Sequence, residues 1–140
     1  MRECRSLATK NTKCTKSMTE SGIKELCDLI RQIAYELHLY LGVGYLEKVY
    51  ETGLAHRLEK AGLNVKTQMP ITVRDEDGFV LGEYLADMVV DGLIIELKSV
   101  STLLPVHEAQ LVNYLKATNT KHGMLINFGS EKFQCRKLAF

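Results

Sequence analysis

Three residues in the middle of the chain have the types and spacing of a cation site: Asp87, Glu96 and Lys98. Asp87 lies in the long segment Phe79 to Val90, which reads as a strand. Glu96 and Lys98 lie in the next, Leu93 to Val100, and Asp91-Gly92 between them is a tight hairpin signal. Such a turn makes Asp87 and Glu96 cross-strand neighbours. Side chains two apart share a face, so Glu96 and Lys98 point one way while Leu93, Ile95 and Leu97 point the other. The apolar runs Met88-Val89-Val90 and Leu93-Ile94-Ile95 mark the centre of a sheet, where Glu and Lys are rarely buried unless paired. One reading is a structural Glu96–Lys98 ion pair, which adds little stability over apolar residues of similar volume. The other is a metal site. Two carboxylates and one ammonium leave a net charge of −1, and carboxylates with water match the preferences of Mg²⁺ or Mn²⁺. A dication held by Asp87 and Glu96 polarises a phosphoryl oxygen and lowers the pKa of water. Lys98 then orients the nucleophile or neutralises developing charge. The chemistry that such a cluster suits is phosphodiester hydrolysis.

The elements that must position these residues follow from periodicity. Thr19 or Ser21 can cap a first helix, with Ile23, Leu26, Cys27, Ile30, Ile33, Ala34, Leu37 and Leu41 at helical spacing and an end at Gly42. A second helix has Leu46, Val49, Tyr50, Leu54 and Leu58 on its inner stripe and stops at Ala61-Gly62. The period then changes to two. Val65, Met69, Ile71 and Val73 read as a strand, with Pro70 marking an edge or an irregularity. After the two strands around Asp91-Gly92, a helix runs from about Val106 to Ala117, His122 to Phe128 forms a fourth strand, and Lys132 to Phe140 a short last one. Three meandering strands, a crossover helix and a further strand predict an α/β fold: a mixed central sheet flanked by helices.

The 140 residues suit one domain with its own core, at 46% hydrophobic and 25% charged. No apolar run reaches the roughly 20 residues of a membrane span, and the start of the chain lacks a secretory pattern, so a cytoplasmic protein is expected. Cys4, Cys14, Cys27 and Cys135 form no CxxC pair and fit no zinc spacing, which predicts reduced thiols. Residues 1–18 read as a mobile basic tail and residues 19–140 as the folded domain. Arg2, Arg5, Lys10, Lys13 and Lys16 against Glu3 give the tail +4, so the remainder of a +1 chain carries −3. That is not the broad basic surface of a strong non-specific nucleic-acid binder.

Asp87 followed by Glu96-Leu97-Lys98 resembles the signature of the PD-(D/E)XK nuclease superfamily, with Ala86 where the pattern's proline would stand. Gly44-Tyr45-Leu46-Glu47-Lys48-Val49-Tyr50 reads as GxxExxY, and about residues 20–138 resemble the small bacterial GxxExxY proteins of that superfamily. His38, Gly82, the run His107 to Lys116 and the run Gly123 to Gly129 belong to the same resemblance. It implies a restriction-endonuclease-like core and a metal-dependent nuclease acting on DNA rather than RNA, with a possible homodimer completing the substrate groove. It also implies that Glu47 assists the metal from an early helix, where the residue alone would read as an exposed helix charge. Gln110 and Tyr114, four apart on one helix face, resemble the QxxxY pair of RecB-type nucleases. Without the resemblance they read as an ordinary helix surface. Tyr50 and His38 read as structural or supporting, and His107 is near enough to the helix start to reach the site.

Three other patterns fail. From Asp75, the glycine of Asp75-Glu76-Asp77-Gly78 is fourth and position twelve is Ala86, so this is no EF-hand loop. Gly42 and Gly44 are not followed by the third glycine of a phosphate-binding loop, since Glu47 stands there. No Ser or Cys has a companion His in a nucleophile motif. The reading from another class is a nucleic-acid- or protein-binding module that keeps the nuclease fold without turnover.

Overall fold

The computed structural model describes residues 18–140; all but the last residue of the expected basic tail, together with Cys4 and Cys14, lies outside them. The element order is α1 (Glu20–Leu41), α2 (Glu47–Lys60), β1 (Val65–Arg74), β2 (Val80–Val90), β3 (Leu93–Lys98), α3 (Pro105–Thr118), β4 (His122–Asn127) and β5 (Gln134–Ala139). The five strands form one sheet in chain order, β1-β2-β3-β4-β5. All neighbours are antiparallel except β3 and β4, the pair that the α3 crossover joins. This is the mixed α/β sheet expected from the sequence, with β3 at its centre.

Thr19, not Ser21, caps α1: its hydroxyl accepts from the Gly22 N–H at 3.0 Å. Gly42 ends the helix at φ +72°, its N–H donating to the His38 carbonyl at 2.8 Å. The hairpin at Asp91-Gly92 has both residues at positive φ (49° and 88°), the geometry whose twist matches that of the flanking strands.

The sheet has a core on each face. One is built by Leu26, Ile30 and Leu37 of α1 and Tyr50, Leu54 and Leu58 of α2, packed on Leu93, Ile95, Leu97, Ile126 and Phe128. The other is smaller: Leu111, Tyr114 and Leu115 of α3 pack on Ile71, Ala86, Ile94 and Leu125. The second-helix stripe read from the sequence needs a correction. Leu46 is 79% exposed and Val49 is also on the surface. Leu46 precedes the first helical turn, so the helical period does not apply to it.

Strands β1 and β2 do not alternate simply. Val65, Met88 and Val90 belong to the α1–α2 core, whereas Met69, Ile71 and Ala86 belong to the α3 core. The change of face falls at Gln68, which has φ +54°, and at Asp87, which lies opposite it between the pairs Thr67↔Met88 and Met69↔Ala86. A left-handed residue in an extended strand redirects the side chains that follow it.

Candidate active site

Asp87 sits at that change of face. The β2–β3 pairing runs from Val90↔Leu93 to Met88↔Ile95, and beyond it side chains take over from the backbone ladder. The Asp87 N–H donates to Glu96 Oε1 at 3.0 Å, and the Leu97 N–H donates to Asp87 Oδ2 at 2.8 Å. Each carboxylate thus binds the main chain of the opposite strand. β3 continues alongside β4 as far as Lys98↔Asn127, so β2 alone diverges and leaves room for the two acids.

Glu96 is almost fully buried. Burial first and the Asp87 charge second push its carboxyl up to about 8, against the Asp87 N–H and Lys98. Burial also raises Asp87, and Glu51 adds to this, while the Leu97 N–H and Lys98 favour the ionised form. Two acids held against each other in this way are the group that a dication would relieve.

Lys98 lies two residues beyond Glu96, but its ammonium donates to Gln110 Oε1 on α3 at 3.0 Å, and Gln110 Nε2 donates to the Tyr114 hydroxyl at 3.1 Å. The structural reading of Glu96 and Lys98 as a direct ion pair is therefore not realised. Lys98 is tied to the helix instead, at the end of a hydrogen-bond chain that joins Gln110 and Tyr114 along an i,i+4 face. Tyr114 is mostly buried, and burial together with the Glu96 charge raises its pKa.

Glu47 opens α2, an end whose dipole favours a negative charge. The loop before it is anchored by the Ser99 hydroxyl, which donates to the Tyr45 carbonyl at 3.3 Å. Partial loss of water and the Asp87 charge raise the Glu47 carboxyl, with Lys98 opposing. Glu47 is thus within electrostatic reach of the pair, at an exposed rim. Among the described residues no three His, Cys, Asp or Glu side chains form a ready-made metal cage. The donor set is nonetheless hard oxygen, and Mg²⁺ is ordinarily held by one or two carboxylates with waters completing its shell.

Two residues that sequence reasoning missed stand beside this cluster. Glu51 is buried, accepts from Gln68 Nε2 at 3.0 Å and pairs with Lys48 at 3.3 Å. The signal was present: Glu51 falls between Tyr50 and Leu54 on the buried stripe of α2, a place for an apolar side chain. Asn127 is fully buried and clamps the chain leaving β3, with Oδ1 accepting from the Val100 N–H at 3.0 Å and Nδ2 donating to the Val100 carbonyl at 2.9 Å. Gly129 permits this approach, because a Cβ there would lie 2.3 Å from the Val100 nitrogen.

Of the remaining candidates, Tyr50 is structural. It is fully buried, stacks on Phe128 at 4.8 Å and donates to the Gly42 carbonyl at 2.6 Å. His38 is buried too, its Nε2 2.8 Å from the Ser130 carbonyl. His107 lies inside the first turn of α3, and its Nδ1 accepts from the Leu104 N–H at 3.0 Å, which occupies it as a helix cap. Cys27 and Cys135 are free thiols, and burial pushes Cys135 up to about 11. Among the described residues no helix is long and apolar enough to cross a membrane.

A family model described as the PD-(D/E)XK nuclease superfamily matches residues 24–138. No curated protein matches the chain. Among solved structures, the crystal structure of SSO0001 is similar over 81% of this chain and 77% of that one, at 15% identity and a TM-score of 0.53; at that identity the likeness is one of fold.

Proposed function

This chain belongs to the PD-(D/E)XK nuclease superfamily, and we propose that it is a metal-dependent nuclease hydrolysing phosphodiester bonds in DNA rather than RNA. The observation that carries the reading is the interlocked pair Asp87–Glu96, each carboxylate bonded to the main chain of the other's strand and the Asp87 charge raising the buried Glu96 carboxyl, with Lys98 beside it. Asp87 and Glu96 are the residues to hold Mg²⁺ or Mn²⁺, and Glu47 supports them from the rim. A bound dication supplies Lewis-acid polarisation of a phosphoryl oxygen and lowers the pKa of water. The Lys98 ammonium, held by Gln110, meets the negative charge that grows on the phosphoryl group, and being pre-oriented it needs little reorganisation when that charge develops. Gln110 and Tyr114 fix its position.

The test is a Mg²⁺ and a Mn²⁺ titration of cleavage on single-stranded, duplex and branched DNA and on RNA, with wild type and Lys98→Ala side by side. Lys98→Ala is expected to lower the rate by about 10²–10³-fold while retaining the wild-type melting temperature. A wild type that cleaves none of these substrates in either metal leaves the non-catalytic binding module as the surviving reading.

A further inference from the structure

Between α3 and the β1–β2 hairpin runs an open groove of about 900 Å³. Gln110 and Tyr114 form part of its wall, and Gln110 accepts the Lys98 ammonium, so the groove leads to the carboxylate pair. Its charge differs from that of the molecule around it. The chain has 17 acidic and 18 basic residues, yet the groove is lined by Arg74 and Lys116 with no Asp or Glu. Arg74 donates through Nη1 to the Gly78 carbonyl at 3.0 Å, which leaves its other guanidinium donors available. Lys116 has its ammonium 5.9 Å from the centre of the Phe140 ring, a contact that keeps its charge and its donors. Tyr84 lines the same groove, 50% exposed, its ring 5.8 Å from that of Tyr114.

We propose that this groove holds a single nucleic-acid strand leading to the carboxylate pair, with an unpaired base stacked on Tyr84 and neighbouring phosphates met by Arg74 and Lys116. The inference rests on the nuclease reading for its direction, but strand binding itself requires no turnover. A free tyrosine face stacks on any unpaired base. The bases of an intact duplex are already stacked on one another and must be extruded before such a ring can meet them. A recess of this size is on the scale of small-molecule sites and is unlike the long basic face that follows a duplex. The wall offers nothing that separates DNA from RNA, so the groove takes a single strand of either.

The experiment measures equilibrium binding of the full chain in EDTA, by fluorescence anisotropy, to short oligothymidylate, oligouridylate and a blunt duplex. One or both single strands are expected to bind more tightly than the duplex. Tyr84→Ala is expected to weaken that binding about tenfold, and Tyr84→Phe, which keeps the ring, to restore it. The double variant Arg74→Ala/Lys116→Ala removes two phosphate contacts and should reduce the slope of log K against log salt by about 1.4. Should Tyr84→Ala melt early, this double variant, altered only at exposed side chains, decides by its salt slope. Duplex bound as tightly as single strand, no binding to any of the three, or an unchanged salt slope in the double variant overturns the groove inference. So does unweakened binding by a folded Tyr84→Ala. Because EDTA removes turnover from the measurement, strand binding with the expected losses but no cleavage in any metal would sink the nuclease reading and leave the groove inference standing.

Discussion

The two faces of the central sheet are built from the same strands to different ends. On the α1–α2 face, two helices cover β3 and β4, and Tyr50, Phe128, Leu54 and Leu97 are fully buried. The Tyr50 hydroxyl is satisfied, donating to the Gly42 carbonyl and accepting from the Tyr45 N–H. On the α3 face a single helix covers a smaller core, and the same β3 presents Glu96 and Lys98 within it. The first face shows what the fold needs for stability. The second shows what the chain accepts at a cost in stability: two acids opposing each other, and a lysine held by an amide rather than by an opposite charge. The site lies where β2 leaves the ladder, so its polar groups take up main-chain bonds that a regular sheet would have closed itself.

The largest effect separating the faces is expected from Tyr50→Ala. Removing a fully buried aromatic that stacks on Phe128 should cost about 3–5 kcal/mol in chemical denaturation; a loss of under about 1 kcal/mol would mean that the α1–α2 face is not the structural one. The α3 face should respond in the opposite sense, through pH. Glu96 has a folded pKa of about 8 against 4.5 in an unfolded chain, so the folded state holds the proton more tightly. The corresponding stability is fully present below pH 4.5 and is lost as pH rises to about 8. Melting curves in EDTA should fall across that window in wild type and flatten in Glu96→Gln, which keeps an oxygen for the Asp87 N–H but has no charge to develop. A Glu96→Gln protein that melts far below wild type at pH 8 would show that the Glu96 charge is structural. The smallest effect is expected at Leu46→Ser: an exposed side chain ahead of α2 should change stability by no more than about 0.5 kcal/mol, and a larger loss would place Leu46 in a buried contact.

Much of this was legible before folding because it rests on local periodicity. Asp87, Glu96 and Lys98 follow from a two-residue turn and strand alternation; Gln110 with Tyr114 came from the resemblance to the QxxxY pair, since a helical spacing of four alone reads as ordinary helix surface. The mixed sheet flanked by helices followed from the meander and one crossover. What stayed hidden depends on contacts between distant segments. Lys98 bonds to Gln110 because α3 packs on the strand, and nothing in the Glu-Leu-Lys triplet excludes a Glu96–Lys98 pair. The change of face at Gln68 is invisible because glutamine carries no sign of a left-handed backbone, unlike glycine or asparagine. Leu46 was misassigned since a helical stripe, extended by one step, does not reveal where the helix starts. The groove needs β1 and α3 side by side, about forty residues apart in the chain.

The acid pair joins residues only nine apart, and the Lys98–Gln110 bond spans twelve. Closing loops this short costs little chain entropy, so these contacts are among the quick ones available to an unfolded chain. The Gln68–Glu51 bond spans seventeen residues and is little different, whereas the docking of Phe128 on Tyr50 brings together segments far apart in sequence. The candidate site residues Asp87, Glu96, Lys98, Gln110 and Tyr114 thus lie in one nearly continuous stretch, from β2 through β3 to α3. Glu47 and Glu51, two of the three acidic residues of α2, approach it from an element further away in the chain. The candidate acids are thus held by a single hairpin and its own main-chain N–H groups rather than by the docking of distant elements.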